Sequence, residues 1–234
     1  MRRRTVDVVG IGTWKDLCID AVDAVRLGEF WSTVLGLRYE QRADGQVLLS
    51  GAGPEQRVWV NTVPEPVTTK QRVHLDVHAA SVEDVLALGA VPEELESFSW
   101  KVLRDPEGGE LCVFERHEVP DYRLYELVVD APADPGPIAT WWADILGGRA
   151  GHDETSPWWW VEEVPGMPFE SIVFPPVPEP KIVKNRIHWD IWGDPERLVS
   201  AGATLLREKG QGGIGWTVLA DPAGNEFCAF EQVG

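Results

Sequence analysis

Polar and apolar positions alternate along this chain with two periods that take turns. Leu17-Cys-Ile-Asp-Ala-Val22 alternates every second residue, as a half-buried strand does, and Val25 to Leu35 follows with helical spacing. Asp23 stands where a carboxylate accepts from the free N–H groups of a first helical turn, and Gly36 supplies a left-handed residue to end it. Short strands are predicted over 47–49 and 57–60. A second opening follows: Arg72 to Val77 alternates, Ser81-Val-Glu-Asp84 has capping-box spacing, and its helix ends at Gly89. Trp100 to Leu103 and Leu111 to Glu115 form a final hairpin on Asp105-Pro-Glu-Gly108. There proline presets the second position of a type I turn and glycine takes the fourth.

The pattern then starts again. Val63-Pro-Glu-Pro66 returns as Val177-Pro-Glu-Pro180, and Lys70-Gln-Arg-Val-His-Leu-Asp-Val77 as Lys184-Asn-Arg-Ile-His-Trp-Asp-Ile191. Phe30-Trp-Ser-Thr-Val-Leu-Gly36 matches Trp141-Trp-Ala-Asp-Ile-Leu-Gly147, and the hairpin around Asp105 matches the one around Asp221-Pro-Ala-Gly224. A repeat of this length is a duplicated domain rather than a solenoid unit. The expected division is residues 1–117 and 118–234, with four β-α-β-β-β units in all.

These motifs resemble the vicinal oxygen chelate superfamily, in particular the glyoxalase-like domains of the glyoxalase, bleomycin-resistance and extradiol-dioxygenase group. The resemblance covers roughly residues 15 to 234. It implies an α+β fold of two tandem glyoxalase-like domains, each a pair of β-α-β-β-β units curled into a half-open barrel, with a ligand or metal held inside the cup. It implies fold more than activity.

Composition narrows the partners. Hydrophobic residues make up 44% and charged residues 25% of the chain, enough apolar material for a sizeable core. Lys plus Arg is 21 against Asp plus Glu 38, and the resulting charge of −17 repels phosphate backbones and anionic lipid. Nucleic acid and membrane are therefore not expected as partners, and a small-molecule ligand or substrate is. No apolar run approaches the ~20 residues of a membrane span, and Met1-Arg-Arg-Arg4 lacks the apolar segment of a secretory signal, which gives a cytoplasmic expectation. Cys18, Cys112 and Cys228 form an odd set without CxxC spacing and read as small core residues. Self-association is not legible.

Strand alternation places His74, Asp76 and His78 on one face, with Val73, Leu75 and Val77 on the helix side. On the last strand of the copy, Cys112 and Phe114 are assigned to the helix side and Glu115 to the cup. By the resemblance the first and last strands of a unit are neighbours, so His74 should meet Glu115, and His188 should meet Glu231. Such a pair has three readings: a hydrogen-bonded pair tying two strands, a metal-free acid/base dyad, or two ligands of a divalent metal in the first domain. The family's additional ligand on the opening strand falls on Asp16 in copy one and on Arg123 in copy two, and its fourth-strand position on Asn61 and Pro175. The expected metal set is therefore His74, Glu115 and Asp16, with none in copy two.

Twelve tryptophans are the odd feature of composition. Trp31 with Trp142, and Trp100 with Trp216, recur in both copies and read as core. Trp158 and Trp160 share one strand face, and Trp192 shares a face with His188. With His188 and Glu231 they suggest an aromatic-lined ligand cup in copy two, or else the surface joining the halves. Two functions follow: a small-molecule-binding protein holding a small aromatic ligand in a Trp-rich cup, or an enzyme of lyase, isomerase or dioxygenase type. The enzyme would depend on a metal or on His74 and Glu115 as an acid/base pair.

Overall fold

The structure, a computed structural model, describes residues 10–232, so the basic Met1–Arg4 segment lies outside the described residues. The four units are present. The first comprises β1 (Gly12–Ala21), α1 (Ala24–Leu35), β2 (Arg38–Gln41), β3 (Val47–Ser50) and β4 (Arg57–Thr62). The second comprises β5 (Val73–Ala79), α2 (Val82–Ala87), β6 (Val91–Glu94), β7 (Lys101–Arg104) and β8 (Glu110–Glu115). The third comprises β9 (Leu124–Val129), α3 (Gly136–Leu146), β10 (Arg149–His152), β11 (Trp159–Glu162) and β12 (Ser171–Phe174). The fourth comprises β13 (Ile187–Gly193), α4 (Pro195–Ser200), β14 (Thr204–Arg207), β15 (Thr217–Ala220) and β16 (Glu226–Phe230).

Local chemistry explains the boundaries. The Asp23 carboxylate accepts from Arg26 N at 3.0 Å at the start of α1, and Gly36 closes the helix at φ 70°, where a Cβ would be strained. Ser81 Oγ caps α2 through Asp84 N. In both closing hairpins an aspartate carboxylate, Asp105 or Asp221, accepts two backbone N–H groups of its own turn. These are the contacts the Asp-Pro-x-Gly motif leads one to expect.

The units assemble into two open sheets of eight strands, and the pairing crosses the repeat. The first sheet runs β14-β15-β16-β13-β1-β4-β3-β2 and joins units one and four; the second runs β10-β11-β12-β9-β5-β8-β7-β6 and joins units two and three. At the centre of each, two opening strands lie antiparallel, β1 on β13 and β5 on β9. The expected α+β fold of paired β-α-β-β-β units, half-open rather than closed, is present, but the units paired in a sheet are not the two of one half. Each sheet takes one unit from each half. Leu17 and Ile19 of β1, Leu75 and Val77 of β5 and the helix residues Trp31 and Trp142 join one continuous apolar core. The polar residues between them on each strand point to the opposite face, and those two faces carry the candidate chemistry.

Candidate functional sites on the two cup faces

Both central strand pairs carry the same irregularity. In β1 the register skips between Trp14 and Asp16, so Lys15 is an extra residue; in the second sheet it skips opposite Asp76/Val77, so Tyr125 is extra. Such a bulge re-aims the inserted side chain. Lys15 thereby reaches the cup face of the first sheet and Tyr125 that of the second.

On the first sheet Asp16 lies directly opposite Asp190, and Cys18 opposite His188. All four are buried. Lys15 Nζ donates to Asp16 Oδ2 at 2.8 Å and to Asp190 Oδ2 at 3.3 Å, and sits 4.0 Å from the Phe230 ring centroid. Burial, reinforced by the Asp16 charge, pushes the Asp190 carboxyl up to about 8, against the opposing pull of Lys15. Burial also holds the His188 imidazole below its ordinary value. The other oxygens, Asp16 Oδ1 and Asp190 Oδ1, have no hydrogen-bond partner among the described residues. Beside them opens a cavity of about 450 Å³ walled by Trp14, Lys15, Asp16, Arg57, Met167 and Trp192. Met167 comes from the β11–β12 loop, so the second sheet closes one side of the first sheet's cavity.

On the second sheet His74, Asp76 and Cys112 gather at the centre, all more than nine-tenths buried. His74 Nε2 lies 3.4 Å from Asp76 Oδ1 and 3.6 Å from Cys112 Sγ, and its Nδ1 lies 3.4 Å from Glu110 Oε1. Glu126 stands opposite Asp76 in the register and accepts from Ser171 Oγ at 2.6 Å. Burial, with the Asp76 charge adding, pushes Glu126 up to about 7 against the Ser171 hydrogen bond. Burial would lower His74, but the carboxylates of Asp76, Glu110 and Asp130 outweigh it and hold the imidazole above its ordinary value. Toward the rim, Phe98, Trp100 and Phe114 stack in sequence at centroid spacings of 4.8 and 5.7 Å, and Trp158 leans on Trp100 at 5.9 Å.

His74 and Glu115 do not meet. β5 and β8 are parallel with Leu75 opposite Leu111, which leaves Glu115 opposite Ala79 at the far end of the pair. Its carboxylate accepts from Val82 N at the start of α2. The expected face of β8 was off by one residue, and a one-residue slip exchanges every side chain between faces. Leu111 and Val113 enter the core, while Glu110, Cys112 and Phe114 face the cup. The same slip removes Glu231 from His188, and Glu231 pairs with Lys209 on the surface. Asp16 lies on the first sheet and His74 on the second, so the expected metal set of His74, Glu115 and Asp16 does not assemble. The expected aromatic cup divides likewise. Trp192 and His188 belong to the first sheet and Trp160 to the second, with the 39%-exposed Trp158 in the loop just before β11.

Other expectations shift with the register. The partner of Asp16 in the third unit is Glu126, because each lies across from the second carboxylate of the facing strand, Asp190 or Asp76. Arg123 lies outside this facing pair, and Asp130, the counterpart of Asp23 in the repeat, does not cap a helix. Asp130 is buried and paired with Lys70 and Arg72, and α3 begins six residues later, at Gly136, behind Asp134 and Pro135. The cysteines are buried and free but sit on the polar faces beside His and Asp rather than in the apolar core. Trp31 and Trp142 are core residues as expected, while Trp100 and Trp216 are half-buried and stack on the cup-face rings Phe114 and Phe230. Sequence reading passed over Lys15, Asp190, Glu110 and Glu126. The His-x-Asp motif was a signal for Asp190, and Glu110 heads the same strand as the misassigned Glu115.

A divalent metal fits the two faces unequally. On the first, the Lys15 ammonium already bridges the facing carboxylates and supplies the positive charge. Imidazole, thiol and carboxylate donors converge on both faces, as Cys18, His188 and Asp190 on the first and as His74, Asp76 and Cys112 on the second. On the second, however, no Lys or Arg forms an ion pair with Asp76, Glu110 or Glu126 among the described residues. There His74, Asp76 and Cys112 would hold the ion, and it would polarise an oxygen of a bound molecule.

Comparison with known proteins agrees with this architecture. Glyoxalase I from Zea mays is similar over 94% of this chain and 92% of its own, with a TM-score of 0.63 at 14% identity. The cppA protein from Streptococcus pneumoniae TIGR4 is similar over 94% and 100%, with a TM-score of 0.53 at 12% identity. At such identities the likeness is one of fold. No curated protein sequence matches, and no helix among the described residues is long and apolar enough to cross a membrane. The profile of the glyoxalase-like domain matches residues 16–114 and again 126–230, and the chain therefore belongs to the glyoxalase-like domain family, with two copies of the domain.

Proposed function

We propose that the protein binds a small planar aromatic molecule carrying a hydrogen-bond donor on the cup face of its first sheet. The carrying observation is the cavity of about 450 Å³ lined by Trp192, Lys15 and Asp16, whose buried Oδ1 has no hydrogen-bond partner among the described residues. Its volume is that of a small-molecule site, and a buried carboxylate oxygen without a donor favours a ligand that brings one. Trp192 offers the ring face, and Arg57 and Met167 close the sides.

Titration of intrinsic fluorescence with a planar aryl amine, an aryl alcohol and an aryl carboxylate of matched size tests this. The amine or alcohol should quench saturably, and Trp192→Ala should weaken it about tenfold, the worth of one stacked ring. Preference for the carboxylate, or loss of binding in Trp160→Ala but not in Trp192→Ala, would contradict it.

A second reading rests on a different observation, the His74–Asp76–Cys112 cluster with no Lys or Arg paired to it among the described residues. It makes the second sheet the metal-dependent centre of a lyase-, isomerase- or dioxygenase-type enzyme. Glu126, opposite Asp76 in the register, stands where a carboxylate could take or give a proton.

A further inference from the structure

The metal class follows from one residue. Building on the second reading above, we propose that Cys112 ligates the ion of the second sheet as a thiolate, so that the site selects a borderline, sulfur-accepting divalent ion of the zinc type rather than magnesium or calcium.

The geometry comes from three donors. Zinc binds imidazole nitrogen at about 2.0–2.1 Å, carboxylate oxygen at about 2.0–2.2 Å and thiolate sulfur at about 2.3 Å. At tetrahedral angles these lengths put nitrogen and sulfur about 3.6 Å apart and nitrogen and oxygen about 3.3–3.5 Å apart. His74 Nε2 lies 3.6 Å from Cys112 Sγ and 3.4 Å from Asp76 Oδ1, two edges of such a tetrahedron, and the three donors lie within 4.8 Å of one another. Asp76 Oδ1 is buried with no hydrogen-bond partner among the described residues. Glu110 Oε1 stands 3.4 Å from His74 Nδ1, the ring nitrogen turned away from the other donors. A carboxylate in that place fixes the ring and strengthens the ligating nitrogen. Three protein donors leave the fourth corner for water or substrate.

Hard ions take oxygen ligands, and a thiolate shifts preference toward zinc and its neighbours. On the first sheet Cys18, His188 and Asp190 offer the same donor types, but Lys15 Nζ holds Asp190 Oδ2, and Cys228, the positional equivalent of Cys112, lacks the orienting carboxylate. Glu226, the counterpart of Glu110, gives its oxygens to Lys181 Nζ and Asn185 N instead of to His188.

Metal-free protein titrated with Co²⁺ reports the ligand directly, since a thiolate on cobalt gives an intense near-ultraviolet charge-transfer band. One equivalent should raise the band; Cys112→Ser should remove it, and Cys228→Ser should keep it. Zn²⁺ should displace Co²⁺, and a large excess of Mg²⁺ should not. X-ray absorption at the zinc edge of the wild-type protein needs no variant to fold and should show one sulfur at about 2.3 Å. Stoichiometric binding with no sulfur signal would overturn the thiolate assignment and leave the metal reading standing. Absence of binding would overturn both. A band lost in Cys228→Ser and kept in Cys112→Ser would place the sulfur on the wrong sheet.

Discussion

The two sheets repeat one another in strand order, in the parallel and antiparallel pairings around their central strands, and in a bulge at the same place. They differ in what that scaffold presents. The bulge delivers Lys15 to one face and Tyr125 to the other, so one pair of facing carboxylates, Asp16 and Asp190, holds an ammonium between them. The other pair, Asp76 and Glu126, faces without one. The glutamate at the head of the last strand turns toward Lys181 in the first sheet and toward His74 in the second. A duplicated fold fixes where side chains can meet; a handful of identities decide what they do there.

The largest effect that tests this difference is the loss of Lys15. Lys15→Met leaves two buried carboxylates without their cation, and breaking a buried pair by removing one partner costs about 3–5 kcal/mol. Urea unfolding should show that loss near pH 9 and a smaller one near pH 5, where Asp190 holds its own proton. Tyr125→Ala, at the same bulge of the second sheet, removes a ring that packs on Phe114 and His78 and should cost only about 1 kcal/mol. Equal losses in the two variants would mean that the bulge residues do not distinguish the sheets.

A smaller and pH-dependent effect belongs to Asp190, which faces Lys15, Asp16 and Cys18 from β1 and Cys228 from β16. Its carboxyl binds a proton more tightly folded, near 8, than unfolded, near about 4. Between those values the native state carries more protons than the unfolded chain, so this group's contribution to stability falls as pH rises. It is full below about pH 4 and gone above about pH 8. Asp190→Asn should remove that downward slope from unfolding free energies measured across pH 5 to 9. A variant that keeps the wild-type slope would place the titration elsewhere.

The sequence made some of this legible and hid the rest for physical reasons. The repeat exposed four units, their caps and their turns, because Asp23, Gly36, Ser81 and the Asp-Pro-x-Gly hairpins act through neighbouring residues. The face of β5 was also readable, since Val73, Leu75 and Val77 leave only one side for His74 and Asp76. β8 was not, because Leu111, Cys112, Val113 and Phe114 are all apolar by type and alternation within Glu-Leu-Cys-Val-Phe-Glu reads equally well in either phase. Which units share a sheet could not be read from similarity, as four alike units can pair in either way. A bulge leaves no local mark, so nothing in the sequence singles out Lys15, which holds the two central carboxylates of its sheet.

Counting zinc per chain by equilibrium dialysis, on wild type, His74→Ala and His188→Ala side by side, tests the inequality of the two faces most directly. The account predicts one ion for the wild type, none for His74→Ala and one for His188→Ala. Two ions in the wild type, or an ion lost with His188 and kept without His74, would contradict it.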